Sequence, residues 1–207
     1  MRLYLHRSDM GEFFQYKKSL SNLFALAENF EKIPTIGKKS AFKLAYHLTF
    51  ENKMLGNNIA QNIKDTKLSV CKCCNALSED EICAICADPN RDGKELCIVS
   101  HFKDVFSIEE MGQYRGKYFV IDNNKQSLSN LQQLLEQIER FKTREIIFAF
   151  SPNIANDSLM IFIEDKLIQS GLDLKFTRIA HGVPTGIGFE NIDSMSLGRA
   201  FAYRVKL

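Results

Sequence analysis

Four cysteines, Cys71, Cys74, Cys83 and Cys86, stand as C-x2-C, an eight-residue gap, and a second C-x2-C. That spacing suits one tetrahedral zinc ion. Each pair sits on a tight turn that points two thiolates at one place, and two such turns fill the coordination shell with soft ligands. No open position is left for chemistry, so the expected ion, one Zn2+ per chain, is structural. Between the pairs only Leu77 and Ile82 are large and apolar. They cannot form a core, so metal must hold the segment together. Buried or disulfide-bonded cysteines are the alternative, but two C-x2-C pairs this close favour zinc.

A chain of 207 residues suits one large domain or two small ones. The N-terminus has no apolar run of signal-peptide length, and no later stretch is long enough to span a bilayer. The expected location is the cytoplasm, where thiols stay reduced and C-x2-C pairs bind metal. The net charge of +2 hides an asymmetry. Residues 1–70 carry 11 Lys/Arg against 6 Asp/Glu, and residues 71–207 carry 16 against 19. A basic front end on a near-neutral body suggests an anionic partner at that end, although an excess of this size also suits a solvated surface.

Periodicity divides the chain into two textures. Leu20, Leu23, Phe24, Leu26, Ala27 and Phe30 recur at helical spacing and predict a helix over 17–30. Ile33-Pro34-Thr35-Ile36-Gly37 breaks it. A second helix is expected from about Lys38 to Leu48 and a third from Leu55 to Leu68. After Gly93 strands alternate with helices. Strands are expected at 96–99, 117–121, 145–150 and 173–179, and helices at 104–111, 128–141 and 158–169. This rhythm predicts a mostly parallel sheet covered on both faces. A Gly-rich segment over 182–188 and a short helix from about Ser196 close the chain.

The stretch Ile33 to Leu48 is the second informative feature. A tight hairpin feeding a helix aims free backbone N–H groups outward, ready for a phosphate oxygen. Gly37 permits close approach because no Cβ intervenes. Lys38 and Lys39 open the helix, Lys43 lies one turn beyond Lys39, and together they can neutralise about two or three phosphates without reading sequence. An αα-hairpin with an ordinary lysine-rich surface is the competing reading. Gly37-Lys38-Lys39-Ser40 also imitates the end of a nucleotide-binding P-loop, but Lys32 stands where that motif needs glycine. His47, His6 and His101 read as packed or surface histidines, Cys73 as a spare thiol beside Cys74, and Cys97 as a buried strand residue.

This order of parts resembles the bacterial recombination mediator family RecR from about Lys17 onward. The specific stretches are Ile33–Leu48, Cys71–Pro89 and Arg178–Arg204. The last runs Arg178-Ile-Ala-His-Gly-Val-Pro-Thr-Gly, then Glu190-Asn-Ile-Asp193 and Ser196-Leu-Gly-Arg199. The resemblance implies an α/β fold with a helix-hairpin-helix at 17–69, a four-cysteine zinc finger at 70–90, a Toprim-like domain at 91–180 and a Walker-B-like segment with a helix at 181–207. Residues 1–16 have no family counterpart and read as an N-terminal extension or an upstream start. It further implies a non-enzymatic repair protein that assembles into a ring of dimers and binds double-stranded or gapped DNA. With RecO-type and RecF-type mediators it would help load recombinase on strands coated by single-strand-binding protein. Cys71, Cys74, Cys83 and Cys86 match the family's zinc ligands, Lys39 and Lys43 its DNA-contacting positions with Lys38 adjacent, and Glu190 and Asp193 the Walker-B-like segment. Helix-capping and surface carboxylates are the plainer reading of that last pair.

The departures are informative. Thr35 occupies the first glycine position of the usual hairpin, which makes that turn less permissive. The family's longer loop after the second strand is replaced by Asp122-Asn-Asn-Lys-Gln126. A metal-dependent Toprim enzyme, of nuclease or primase type, needs a Glu after the first strand and Asp-x-Asp after a later one. Here Ser100 follows the first strand and Asp157 stands alone after the third, so catalysis is not expected. A zinc-stapled RNA-binding adaptor is the remaining alternative, since the hairpin contacts either backbone.

Overall fold

The computed structural model describes residues 16–121, 128–180, 183 and 186–202. The expected extension up to residue 15, the shortened loop at 122–126 and residues 182, 184 and 185 of the Gly-rich segment lie outside the described residues. The chain forms two compact units, Met1–Lys67 and Leu68–Leu207.

The first unit is helical. After a helical turn at 16–19 come α1 (Ser21–Glu31), α2 (Lys38–Tyr46), a π-helical turn (His47–Glu51) and α3 (Lys53–Asp65). Buried Ala27 on α1 and buried Ala41 and Ala45 on α2 let the helices pack closely, and the Phe24 and Phe42 rings meet at 5.5 Å. The third helix begins two residues before its expected start because Asn52 caps it. The Asn52 side chain accepts the Leu55 N–H at 3.0 Å. It ends at Asp65, where Thr66 turns extended. Gly56 permits the close approach of this helix to the π-turn, since a Cβ there would lie 2.2 Å from the Leu48 carbonyl oxygen.

The second unit begins with a two-residue hairpin, β1 (Ser69–Val70) antiparallel to β2 (Leu77–Ser78), and one helical turn, α4 (Ala84–Ala87). Then follow β3 (Asp92–Val99), α5 (Phe102–Glu110), β4 (Gly116–Val120), α6 (Leu128–Phe141), β5 (Glu145–Ala149), α7 (Ile154–Gln169) and β6 (Lys175–Arg178). A 3-10 turn (Phe189–Asn191) and α8 (Ser194–Ala202) complete it. The sheet order is β4-β3-β5-β6, all parallel, with Cys97 beside Tyr118 and Ile147.

The period-2 alternation of the strands sorts the core into two faces. Leu96, Ile98, Phe119, Ile146 and Phe148 pack against α6 and α7 through Leu134, Ile138, Leu159, Ile163 and Leu167. Cys97, Val99, Tyr118 and Val120 pack on the other side against α5 and the cysteine-rich segment. Both faces are therefore covered, as the rhythm predicts, but the finger does part of what helices alone were expected to do. It is a layer of the sandwich.

Candidate nucleic-acid interface and metal centre

The hairpin is built by backbone bonds across its turn. The Ile33 N–H donates to the Phe30 carbonyl at 3.1 Å and the Ile36 N–H to the Ile33 carbonyl at 3.1 Å. Thr35 takes φ +74°, the left-handed conformation that glycine adopts freely and that costs a β-branched residue about 1–2 kcal/mol. The sequence departure at this position thus leaves the turn intact and places strain in it. Gly37 is the N-cap of α2, and no side chain caps that helix. A Cβ at Gly37 would meet nothing within 4 Å, so the approach to the helix start is open.

Lys38, Lys39 and Lys43 are exposed and none forms a salt bridge among the described residues. Lys38 and Lys39 stand at the start of α2 beside its uncapped N–H groups, and Lys43 lies in the last turn of the same helix. That arrangement offers positive charge and donors at one point, which suits a phosphate. His47 pairs its Nδ1 with Glu51 Oε2 at 2.6 Å across one helical turn. It is a surface histidine, as read.

The Sγ atoms of Cys71, Cys74, Cys83 and Cys86 all lie within 4.8 Å of one another, and those of Cys74 and Cys83 are 3.6 Å apart. A tetrahedron with Zn–S bonds near 2.3 Å has edges of about 3.8 Å, so the donor set fits zinc in identity, number and spacing. Local backbone shapes this cradle. Asn75 adopts φ +61°, which Asn tolerates better than most residues, and returns the chain so that the Cys71 N–H reaches the Ala76 carbonyl at 2.8 Å. The Cys83 N–H donates to Cys71 Sγ at 3.2 Å, and the Cys86 N–H to Cys83 Sγ at 3.4 Å. Such N–H groups favour thiolate over thiol, the form that binds metal. Cys73 is buried beside the cluster but outside the four converging sulfurs. Cys97 is buried in β3, and burial pushes its thiol up to about 12, so it is unreactive.

Two groups that sequence reasoning missed hold this centre to the sheet. Lys117, on β4, is only 3 % exposed, and its ammonium donates to the carbonyls of Ile85 (2.8 Å), Cys86 (3.2 Å) and Asp88 (2.7 Å). All three lie at the end of α4, so one buried cation satisfies the orphaned carbonyls behind a zinc ligand. The Lys117 ammonium also sits 5.1 Å from the centroid of the Phe141 ring. The Val120 N–H adds a bond to the Cys74 carbonyl at 2.8 Å. A lone lysine entering the apolar run Tyr118 to Ile121 was the available signal, but its acceptors lie about thirty residues away. Nearby, Glu109 receives Arg91 and the Tyr118 hydroxyl (2.6 Å). The Arg91 guanidinium holds the Glu109 carboxyl below the usual range, against the opposing effect of burial.

His101, read as a packed or surface histidine, caps α5. Its Nδ1 accepts the Lys103 N–H at 3.1 Å, while the Asp104 carboxylate accepts the His101 N–H at 3.0 Å. This reciprocal pair is a capping box with histidine in the serine position, and the i, i+3 spacing of His101 and Asp104 was its signal. At the C-terminus, Asp193 accepts the Ser196 N–H at 2.8 Å and caps α8. Glu190 lies exposed on the 3-10 turn, where one of its oxygens accepts from the Asn191 amide at 3.3 Å.

Comparison with known proteins agrees with this geometry. Residues 23–67 match the family described as RecR, helix-hairpin-helix, residues 68–88 match the four-cysteine zinc finger domain of RecR, and residues 94–180 match the Toprim domain. The chain is 48% identical over 195 residues to Recombination protein RecR of Helicobacter pylori strain G27, covering 92% of this chain and 98% of that one. It is 43% identical over 194 residues to Recombination protein RecR of a Nitratiruptor species, covering 92% and 100%. The figure for Recombination protein RecR of Campylobacter jejuni is 42% over 193 residues, covering 92% and 99%. The four-cysteine cluster is accordingly the structural zinc site of such a finger. The chain belongs to the RecR family of recombination proteins.

Proposed function

We propose that this protein is a non-enzymatic, DNA-binding clamp of recombinational repair that grips double-stranded or gapped DNA through Gly37, Lys38, Lys39 and Lys43. The observation that carries the reading is the uncapped, open start of α2 with Lys38 and Lys39 exposed at it, and Lys43 exposed further along the same helix. Contacts of this kind hold a backbone and leave sequence unread. Bound in this way, the protein would help RecO-type and RecF-type mediators load recombinase onto strands coated by single-strand-binding protein. All of this would take place in the cytoplasm. No described helix is long and apolar enough to cross a membrane.

The carboxylates of the sheet unit support the non-enzymatic reading. Asp104 is held in the α5 cap and Asp157 lies in the first turn of α7. Glu190 and Asp193 act in this reading as a surface carboxylate and a helix cap.

A ring of dimers is supported by the apolar surface of the helical unit. Phe50, Met54 and Ile63 are exposed, and a cavity of about 460 Å3 opens between Leu26, Phe30, Leu48, Ile59 and Ile63. Patches of this kind on a small unit mark a surface that another chain covers. A second copy makes weak phosphate contacts additive through effective concentration. Retention on DNA of different topology tests the clamp. Protein bound to closed circular gapped DNA should survive a salt wash that strips it from a linear duplex of the same sequence. Equal loss from both would overturn encirclement, and nicking of the circle in Mg2+ would overturn the non-enzymatic reading.

A further inference from the structure

The finger and α5 enclose a groove beside the zinc centre, with Cys83 among its lining residues, that the hairpin does not use. It has a volume of about 410 Å3 and lies wholly within the second unit. Its apolar walls are Leu77 and Ile85 of the finger and Phe102 and Phe106 of α5, and Phe106 is 60 % exposed. Glu79 and Asp80 form one lip. Both are exposed, and neither carboxylate makes a salt bridge among the described residues. Glu109 also lines the groove but is occupied by Arg91 and Tyr118. Among the described residues no Lys, Arg or His lines it.

A slot of this size suits an inserted side chain, and unpaired carboxylates beside low-dielectric walls attract a cation strongly. The same lip repels a phosphate backbone, so the groove and the hairpin select opposite charges. Both walls are fixed before any occupant arrives. The zinc site holds the finger, and the His101–Asp104 box holds the start of α5. We propose that this groove docks a segment of a partner protein in which an aromatic or aliphatic anchor stands next to Lys or Arg. The anchor would fill the space beside Phe106 while the basic neighbour meets Glu79 and Asp80. This site does not depend on the nucleic-acid reading of the hairpin.

The test uses the zinc-loaded full chain and two matched sets of fluorescent pentapeptides, with Leu, Phe or Trp between paired lysines or between paired glutamates. The lysine set should bind with a Kd of about 1 mM or tighter, at least roughly tenfold more tightly than the glutamate set. Glu79→Lys with Asp80→Lys should remove that preference, and Phe106→Ser should weaken the lysine set about tenfold while leaving duplex DNA affinity unchanged. All three positions are exposed, and zinc content and circular dichroism verify that the variants fold. If Phe106→Ser does not fold, the charge variant decides. Equal binding of the two sets, insensitivity to the variants, or no binding of any lysine peptide would overturn the proposal.

Discussion

Between Tyr16 and Lys67 the buried residues are Ala27, Ala41 and Ala45, none larger than alanine. The sheet unit, in contrast, buries Tyr118, Phe119, Leu134, Ile138, Ile163 and Leu167 almost completely, and its cysteines join the core on the Tyr118 face of the sheet. The larger apolar side chains of the helical unit, among them Leu23, Phe24, Leu26, Phe30 and Leu48, are half-buried, so at about 25 cal/mol per Å2 of apolar surface it gains less from its own core, and it leaves Phe50, Met54 and Ile63 to be covered. The sheet unit buries two continuous layers of large side chains and adds a metal, while Phe106, Ile154, Phe189 and Phe201 stay exposed. One part is thus built to gain stability from what it meets and the other to hold its shape whatever it meets. That division suits a protein whose front end grips a polymer while its body stays rigid.

The largest effect should come from the metal. Cys83→Ser should abolish stoichiometric zinc and lower the melting temperature of the sheet unit by on the order of 15 °C, because the cysteines form one wall of the sheet's core. If zinc were lost and the sheet still melted at the original temperature, the finger would be an appendage and the contrast would fail. Lys117→Met comes next. It leaves three carbonyls without their donor and should destabilise the sheet unit by about 3 kcal/mol in denaturant titration, with weaker zinc retention. An unchanged midpoint would mean that the finger is held by the Val120–Cys74 bond and packing alone.

Smaller effects sharpen the other side. Thr35→Gly relieves a left-handed β-branched residue and should stabilise the helical unit by about 0.5–1 kcal/mol, after allowance for the freer unfolded chain. Destabilisation would show that the threonine side chain makes contacts worth more than its strain. The smallest effect is one of pH. Arg91 lowers the folded-state pKa of Glu109, so this pair's contribution is present above the ordinary glutamate range and fades as pH falls through the lowered value. Glu109→Gln should flatten the acid limb of the sheet unit's stability profile, with little change in its shape at higher pH.

The legibility of the chain follows the range of the interactions. Cys71 to Cys86 and the alternation of helices and strands after Gly93 are local patterns, and both are present as read. The hairpin with Lys38, Lys39 and Lys43 is equally local, and element ends moved by a few residues: α3, α5 and α7 start earlier than periodicity suggests, where Asn52, His101 and Asn153 cap them, and β3 starts at Asp92. The role of Lys117 was invisible because its partners lie about thirty residues earlier in the chain. The finger's place as a sheet layer was hidden for the same reason, since few large apolar residues in a segment say nothing about what lies beneath it. The left-handed Thr35 was half legible. A threonine in a glycine position signalled a stiffer turn, but only the backbone shows which residue carries the strain.

The claim that the hairpin grips the phosphate backbone is tested most directly by duplex binding measured across a salt series for wild type and for Lys39→Ala with Lys43→Ala. The double variant should bind every duplex sequence more weakly by a similar factor, and the slope of log affinity against log salt should shrink in magnitude by about 2. An unchanged slope with undiminished affinity would place the DNA contact elsewhere on the molecule.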